Sequence, residues 1–351
     1  MKFEKLRIKD IAKALGLSAS TVSKALRGSY EISEPTQQLV RTYAATHGYQ
    51  PNLLAQSLRK GKSKSVGVVV CNIDNNFFSQ VIDGIESVAH QKDYNVIITQ
   101  THESYERELL SIQHLMASSV DGLIISLSAE TSDISHIEQL HAKGLPVVFF
   151  DRVDASINTH KVTCDNFEGA YLATSHLATQ GYQRIAHITS PTNLSITKER
   201  LAGYQKALED HHLPAEEQYT CYCAHGGMLR EEVEVAVRSL FSLPQPPDAI
   251  FAASDRLSIT TYQILHSMHI SIPADVAVIG FTNSSAAAIF GPPLSAVVQP
   301  AFEMGALAME QLLQLVTSKQ PVTTFETRVL APQLIIRASA IKPALHKGAV
   351  L

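Results

Sequence analysis

Hydrophobic residues in the first fifty positions recur three or four residues apart, in three short runs. They are Ile8, Ile11, Ala12 and Leu15 in the first run, Val22, Ala25 and Leu26 in the second, and Leu39, Val40 and Tyr43 in the third. This spacing predicts three helices. Gly16 ends the first helix, Ser18 is a favoured cap for the second, and the third is predicted to run from Ser33 to near Gly48. The first two helices are so closely joined that they must cross sharply, which predicts a helix-turn-helix.

From Val66 onward the pattern changes, and short continuous apolar runs alternate with amphipathic stretches. The runs are VGVVVC, NVIIT, GLIIS, PVVFF, RIAHIT, AIFAAS and VAVIGF. Short runs rich in β-branched residues, separated by helical stretches, are typical of parallel strands that are buried on both faces. There are more runs than one such sheet usually holds, so the pattern predicts two α/β lobes. Ligands bind such sheets at the carboxyl ends of the strands, which predicts a site in the cleft between the lobes.

Charge separates the two regions further. The chain has 351 residues, of which 45% are hydrophobic and 18% are charged, and its net charge is −4. Residues 1–62 carry eleven Lys and Arg against four Asp and Glu, whereas the remainder carries eighteen against twenty-nine. A basic head on an acidic body predicts that the head binds a polyanion. The charged N-terminus lacks the apolar core of a signal peptide, and no apolar run is long enough to span a membrane, so we expect a cytoplasmic protein without membrane contact.

The second predicted helix presents small and basic side chains on its outer side. They are Ala19, Ser20, Thr21, Ser23, Lys24 and Arg27. Small residues at the N-terminal end would let the helix approach base edges, and Lys24 and Arg27 could donate to guanine acceptors. Thr21 and Ser23 fit phosphate contacts or structural hydroxyls better than base readout. A plain three-helix packing module is the alternative from pattern alone, and the positive charge favours DNA binding.

These residues also carry a family resemblance. KDIAKALGLSASTVSKALRG, followed by GYQPNLLAQSLRKGKSKSVGVVV, closely resembles the N-terminal headpiece of the LacI/GalR transcriptional regulators, and the likeness continues nearly to Ala340. The resemblance implies a helix-turn-helix DNA-binding headpiece at 1–50 and a hinge helix and linker at 51–64. It further implies a two-lobed effector-binding and dimerisation domain at 65–340, and the remaining residues, 341–351, would form a C-terminal tail.

The segment PNLLAQSLRKGKSKS reads as a helix that is too short to be stable alone in water. The resemblance implies that it orders on operator DNA as a hinge helix, one per subunit of a homodimer, with Leu58 wedged into the central base step of the minor groove. Such a wedge costs unstacking energy and gains a kinked duplex that contacts more protein. The alternative for Leu58 is ordinary packing between domains. The resemblance also places four neighbours at the DNA: Asn52, Ala55, Gln56 and Arg59.

For the body, the resemblance implies the periplasmic-binding-protein type I arrangement of two doubly wound parallel-sheet lobes. The chain would cross between the lobes three times, near Cys164, Pro292 and Val322. NIDNNFF follows the first strand where a dinucleotide fold would have its glycine loop, so we expect no nucleotide cofactor, and no other cofactor is indicated. Aromatic and amide residues at this position suit a sugar, although two adjacent Phe residues also suit a core.

Sugar-binding members of the superfamily imply a set of effector-binding residues. They are Asn75, Phe77, Phe78, Asp151, Arg152, Arg200, Asp255, Thr282 and Gln299. For the polar members, a salt bridge between lobes or a surface charge is the alternative. IGFTNSS has Thr282 where many relatives have an aspartate, so one hydroxyl replaces a carboxylate. We expect Asn283 and Ser284 to supply part of the lost hydrogen bonding, and a planar Arg fork would suit vicinal hydroxyls or a carboxylate.

The sequence therefore predicts a LacI-type regulator, acting as a repressor, that binds a palindromic operator as a homodimer and responds to a small-molecule effector, a sugar or sugar derivative. The cytoplasmic location would be nucleoid-associated. A solute-binding protein of a transport system is the alternative, against which the basic head argues. An enzyme is disfavoured, because no G-x-S-x-G or H-E-x-x-H motif is present. Cys221, Cys223 and His225 in CYCAH could hold a metal, but alternation in an apolar run favours a strand, and no metal site is predicted.

Overall fold

The computed structural model describes residues 6–49 and 62–343. Two units divide the chain between Ser63 and Lys64, and each is described by itself. Within the described ranges, no helix has both the length and the apolar character needed to cross a bilayer.

The N-terminal unit contains α1 (Ile8–Leu15), α2 (Ala19–Leu26) and α3 (Glu34–Thr46). Gly16 ends α1 in the left-handed conformation, with φ of 65°, which glycine adopts without steric cost. Ser18 Oγ accepts a hydrogen bond from the Thr21 N–H at 3.0 Å and so caps α2. The three helices bury one small apolar core. The three helices and the cap at Ser18 predicted from the sequence are confirmed, whereas the Ser33 side chain makes no cap hydrogen bond.

The C-terminal unit alternates strands and helices. The strands are β1 (Ser65–Val70), β2 (Asn95–Gln100), β3 (Leu123–Ile125), β4 (Val147–Phe150), β5 (Lys161–Cys164), β6 (Ile185–Thr189), β7 (Thr220–Tyr222), β8 (Ala249–Ala252), β9 (Ala277–Phe281), β10 (Ser295–Val298), β11 (Thr327–Leu330) and β12 (Gln333–Ile335). The helices are α4 (Asn76–Gln91), α5 (Tyr105–Ala117), α6 (Ser135–Ala142), α7 (Asn166–Thr179), α8 (Ser195–Asp210), α9 (Arg230–Phe241), α10 (Asp255–Ser267) and α11 (Ala301–Thr317).

The strands form two six-stranded sheets, which define two lobes. Sheet 1 has the order β11-β5-β4-β3-β1-β2 and sheet 2 has the order β12-β10-β9-β8-β6-β7. All pairs are parallel except β10 with β12, which is antiparallel. Each sheet has an apolar core on both faces, as buried parallel strands require. The predicted two-lobed parallel α/β body is confirmed, with β12 as the one antiparallel exception.

The chain crosses between the lobes three times, and two of the predicted crossing points are wrong. The first crossing follows β5 at Cys164, as predicted. The second lies between β10 of sheet 2 and α11, which packs on sheet 1, so it falls at residues 299–300 and not at Pro292. The third lies between β11 and β12, at residues 331–332, and not at Val322. The resemblance implied the number of crossings, but the positions depend on which sheet each strand joins, and that is decided by tertiary pairing.

Candidate functional site

A polar cleft lies where strands of both sheets end. Asn75 follows β1, Asp151 follows β4, Asp255 follows β8, Thr282 follows β9 and Gln299 follows β10. The cleft has about 370 Å³ of empty space, part of which is open to solvent. It is lined by Asn75, Phe77, Phe78, Asp151, Arg152, Ile196, Arg200, Ser254, Asp255, Phe281, Thr282, Asn283 and Gln299. All nine residues proposed from the sequence as effector contacts thus lie at one cleft, because the carboxyl ends of parallel strands meet at one edge of each sheet.

The first helix of the body brings an amide and two aromatic rings to the cleft. Asn75 Oδ1 accepts a hydrogen bond from the Phe77 N–H at 2.8 Å and caps α4, which leaves the Asn75 amide N–H groups for the cleft. Phe77 and Phe78 contact each other edge to face and belong to the core of sheet 1 while also lining the cleft. The two interpretations of the Phe pair, core and ligand platform, are therefore compatible.

Asp151 is a buried acceptor at the end of β4. Its side chain is buried, and its backbone has φ of 57°, a conformation that few non-glycine residues adopt. Burial raises the pKa of Asp151, and the charges of Arg152 and Arg200 partly oppose that rise. Unusual backbone geometry at a strand end fixes the direction of this carboxyl group, as at many functional sites.

Arg152 has its guanidinium fork engaged by a residue that the sequence did not single out. Its Nη2 donates to Glu103 Oε1 at 3.0 Å and its Nη1 donates to Glu103 Oε2, a two-point ion pair within the sheet 1 lobe. Nη1 also lies 3.4 Å from the Leu127 carbonyl oxygen. The buried Nε–H has no hydrogen-bond partner. Of the five N–H groups of Arg152, the Nε–H and one on Nη2 therefore remain for a ligand, and binding of vicinal hydroxyls by this side chain stays a prediction.

Arg200 reaches the cleft from α8 and is also held by the protein. Its Nε and Nη2 both donate to Asn166 Oδ1, at 2.9 and 2.7 Å, and its Nη1 donates to the Ala253 carbonyl oxygen at 2.6 Å. The guanidinium lies 3.7 Å above the Phe281 ring centroid. Burial lowers the pKa of Arg200 to about 10, and the Asp151 charge opposes this. Of its five N–H groups, one on each terminal nitrogen remains for Asp151 or a ligand.

Asp255 and Thr282 are hydrogen-bonded to each other and together form a second group of acceptors in the cleft. The Thr282 hydroxyl hydrogen-bonds to the Asp255 carboxylate and accepts from the Ser284 N–H at 3.0 Å. Burial raises the pKa of Asp255, and the hydrogen bond from Thr282 opposes the rise. The Thr282 hydroxyl stands where many relatives have an aspartate, and here it orients the Asp255 carboxylate.

Asn283 lines the cleft, and most of its hydrogen-bonding groups already have protein partners. Its Nδ2 donates to Gln80 Oε1 and to the Gln299 carbonyl oxygen, both at 2.8 Å, and its Oδ1 accepts from the Gln299 N–H at 3.0 Å. The side chain therefore anchors the second lobe crossing and contacts the other lobe. Gln299 Nε2 has no partner at normal hydrogen-bond geometry among the described residues, but it lies close enough to Asp151 to lower the pKa of that carboxyl group. The amide is therefore placed to donate to Asp151 or to a ligand. Ser284 donates its backbone N–H to Thr282, and the expected role of its side chain stays a prediction.

Two more polar contacts join the lobes beside the cleft. Arg256 Nη2 donates to Asp74 Oδ1 at 2.6 Å, and Asn193 Nδ2 donates to the Ala129 carbonyl oxygen at 2.6 Å. Asp74 and Arg256 are direct sequence neighbours of the cleft residues Asn75 and Asp255. Contacts of this kind form only when the lobes are close together.

Sequence reasoning missed several residues of the site. Ile196, Ser254 and Phe281 line the cleft, and Glu103 and Asn166 hold its two arginines. Ser254 and Phe281 directly adjoin predicted residues, so adjacency could have found them. Glu103 carries no local signal, because it is 49 positions from Arg152 and meets it only in the folded lobe.

On the headpiece, the proposed DNA-contacting residues lie on and beside α2. Ala19, Ser20 and Arg27 are exposed, and Thr21, Ser23 and Lys24 are half-buried. The Thr21 hydroxyl bonds to Ser18, Lys24 pairs with Glu31, and Arg27 Nε donates to the Ser23 carbonyl oxygen at 2.9 Å. Lys24 would have to exchange Glu31 for a DNA acceptor. The hinge residues Asn52, Ala55, Gln56, Leu58 and Arg59 lie outside the described residues.

A two-lobed α/β body with a polar interlobe cleft and a basic helix-turn-helix unit together indicate a DNA-binding regulator. Residues 7–52 match the family model of bacterial regulatory proteins of the lacI family, and residues 174–340 match that of the periplasmic binding protein-like domain. The chain is 32% identical to the ribose operon repressor of Haemophilus influenzae over 95% of this chain and 98% of that protein. It is 30% identical to the HTH-type transcriptional repressor PurR of Vibrio atlanticus, over 95% and 98% respectively.

Among solved structures, the lac repressor dimer bound to operator and the anti-inducer ONPF superposes with a TM-score of 0.81, at 22% identity, over 96% of this chain and 100% of that chain. This likeness concerns the fold. The identity to the repressors over nearly the whole chain shows the family: the protein belongs to the lacI family of bacterial regulatory proteins and is a DNA-binding transcriptional repressor of that type.

Proposed function

We propose that this repressor binds a palindromic operator as a homodimer and that an uncharged sugar or sugar derivative in the interlobe cleft controls it. The boundaries proposed above, a headpiece at 1–50, a hinge at 51–64, an effector domain at 65–340 and a tail at 341–351, accompany this proposal. The protein would act by switching between lobe arrangements that suit or disfavour DNA, without catalysing a reaction.

The observation that carries the sugar assignment is the cleft's balance of acceptors and aromatic surface. Two buried carboxylates, Asp151 and Asp255, accept hydrogen bonds, and the Gln299 amide donates. Phe77 and Phe78 offer apolar faces for the C–H surface of a sugar ring. Both arginine forks are largely satisfied by protein groups, which disfavours a carboxylate or phosphate on the ligand. The ribose operon repressor among the relatives supports a pentose as the first ligand to test.

Homodimerisation is supported by the exposed apolar residues on the edge strands of both sheets. β2 and β7 each end a sheet, and Ile98 and Tyr222 on these strands are large, exposed hydrophobic side chains. Unpaired sheet edges with apolar side chains favour association with another chain. A helix-turn-helix reads a short half-site, so two copies related by a two-fold axis match a palindrome.

Operator binding is tested with palindromic duplexes selected from random sequence. We expect binding of a selected duplex to weaken steeply as salt rises, since the basic headpiece displaces counterions from phosphates, with a slope in log–log form of roughly −0.9 per phosphate contacted. The measurement is a fluorescence anisotropy titration from about 50 to 200 mM salt. Binding that is indifferent to both salt and sequence would contradict the proposed function.

The hinge assignment, which lies outside the described residues and rests on the family resemblance, is tested by Leu58→Gly. We expect this variant to lose operator binding while ligand binding in the body is unchanged, because the wedge acts only on the DNA. Leu54→Gly is the matched control for loss of helix propensity alone. Operator affinity equal to that of the unsubstituted protein would refute the wedge.

The effector is sought by thermal unfolding in the presence of neutral sugars, sugar acids, sugar phosphates and nucleosides. A ligand at 100 times its Kd stabilises the folded body by about 2.7 kcal/mol. We expect stabilisation by a neutral sugar that is reduced in Asp151→Asn. Stabilisation confined to anionic ligands would overturn the sugar assignment.

A further inference from the structure

The charged side chains that line the cleft balance one another, but a carboxylate behind them does not. Asp151 and Asp255 face Arg152 and Arg200 around the cleft, which gives two charges of each sign. Glu103 stands behind Arg152, with its side chain 15% exposed, and adds a third carboxylate. The local excess is therefore negative.

The Glu103 carboxylate occupies the position at the end of the Arg152 guanidinium where an anionic ligand could bind through two N–H groups. Anions such as carboxylates and phosphates are bound best by two parallel N–H groups of a guanidinium. In Arg152 the two N–H groups at the end of the guanidinium go to the two oxygens of Glu103, which leaves the Nε–H, 4.0 Å from Asp151 Oδ2, and the second Nη2–H on its side. An anion at the end-on pair of N–H groups would have to displace a carboxylate that is already in place, and one at the side-on pair would meet the Asp151 carboxylate.

Glu103 is itself fixed by its surroundings. Its Oε2 also accepts a hydrogen bond from the Ala129 N–H at 2.9 Å, and its own N–H donates to Thr101 Oγ1 at 3.3 Å. Its backbone has φ of 67°, a conformation that few non-glycine residues adopt. The Arg152 charge lowers the pKa of Glu103 although burial opposes ionisation, so the group stays a carboxylate. It is held in position without contributing to the cleft's lining.

We propose that Glu103 is a specificity-determining residue that makes the cleft select uncharged ligands, by neutralising Arg152 and occupying its fork. The inference deepens the proposed function, since it concerns the same site, but its test needs no knowledge of the effector. Replacing the carboxylate with a group of the same shape and no charge removes the negative excess and the charged occupant of the end-on pair, and leaves Asp151 as the ion-pair partner of Arg152. The cleft then becomes a site for a small anion.

The test compares thermal unfolding in inorganic phosphate with unfolding in chloride at equal ionic strength. For Glu103→Gln we expect Tm to rise with phosphate concentration and then to level off. At phosphate concentrations well above Kd, this rise should exceed that of the unsubstituted protein by about 2 °C or more. The basic headpiece is the same in every variant, so any phosphate that it binds contributes equally. No difference between Glu103→Gln and the unsubstituted protein overturns the proposal.

Two matched variants identify the responsible charge. Glu103→Gln/Arg152→Gln removes the guanidinium and is expected to lose the phosphate effect, and Glu103→Asp keeps the negative charge and is expected to resemble the unsubstituted protein. A phosphate effect that persists without Arg152 would place the anion elsewhere and refute the inference. Glu103→Ala repeats the comparison should Glu103→Gln not fold, and failure of both to fold would make Glu103 a folding residue and also refute it.

The outcome is separable from that of the proposed function. If no neutral sugar stabilises the protein but Glu103→Gln gains a phosphate site, the charge role stands and the sugar assignment fails. If a neutral sugar binds and Glu103→Gln gains no phosphate site, the sugar assignment stands and the role of Glu103 fails.

Discussion

At the scale of single residues, one buried histidine stands apart from the site chemistry. His187 on β6 is fully buried and stacks between Tyr204 and Phe251, with ring centroids 4.8 and 5.0 Å away. Neither ring nitrogen makes a hydrogen bond of normal geometry. Burial lowers the pKa of His187 to about 3, so the ring is neutral in the folded protein at physiological pH.

This predicts a pH-dependent stability that His187→Phe removes. An unfolded histidine binds a proton below about pH 6.5 and the folded one does not, so its contribution to stability is retained above that pH and lost as pH falls towards 3. At pH 5 the loss is about 2 kcal/mol relative to neutral pH. Urea unfolding at pH 7.5 and pH 5 should show a smaller pH dependence for His187→Phe. An identical pH dependence would contradict the burial of a neutral ring.

At the scale of elements, each lobe contains a pair of helices whose backbones approach closely at glycine. A Cβ on Gly84 of α4 would lie 2.0 Å from the Phe302 carbonyl oxygen of α11, and one on Gly305 of α11 would lie 2.0 Å from the Val81 carbonyl oxygen of α4. In the other lobe, a Cβ on Gly203 of α8 would lie 2.2 Å from the Phe167 carbonyl oxygen of α7. The carbonyl oxygens that a Cβ would meet belong to the backbone of the facing helix and cannot move aside without moving that helix. These helices therefore pack this closely only with glycine at the crossing.

We therefore expect Gly84→Ala to destabilise the body by about 1–3 kcal/mol or more, since the helices must separate. In an open helix position the same change would stabilise by up to about 1 kcal/mol. Chemical unfolding measures the difference, and Gln91→Ala, at the exposed end of α4, controls for helix propensity. A gain in stability for Gly84→Ala would show that the crossing is looser than described.

Element prediction from the sequence succeeded where the pattern was strong and local. The seven apolar runs became β1, β2, β3, β4, β6, β8 and β9. The seven runs leave out β5, β10, β11 and β12, which gain their strand identity from their neighbours in the sheet. CYCAH gave an ordinary short strand, β7, and its two cysteines are free.

At the scale of the whole molecule, the polar contacts beside the cleft couple the lobes of the body. Asp74 and Arg256 belong to different lobes and are 2.6 Å apart, although the Asp74 side chain is 69% exposed. Exposure limits such a pair to about 0.2–1 kcal/mol. That is small beside the stability of a domain but comparable with the free energies that shift an equilibrium between lobe arrangements.

A double-mutant cycle of Asp74→Asn and Arg256→Gln tests this coupling. We expect an interaction free energy of about 0.5 kcal/mol in urea unfolding, decreasing as salt rises, because the pair is partly exposed to solvent. Additive effects of the two substitutions would mean that the lobes are apart in solution. Asp93→Asn, an exposed change on the same lobe, serves as the unpaired control.

The sequence by itself determined the class of protein. Helical spacing, the Ser18 cap and Gly16 define the helix-turn-helix, and β-branched runs define the parallel sheets, since these signals act between near neighbours in the chain. Strand ends predicted a site in the cleft, and the family resemblance implied which residues would line it. Tertiary structure decided what those residues are free to do: Glu103 takes the fork of Arg152, Thr282 binds Asp255, and Asn283 joins Gln80. These partners meet only when distant segments fold together, and their charges and hydrogen bonds have no trace in local sequence pattern.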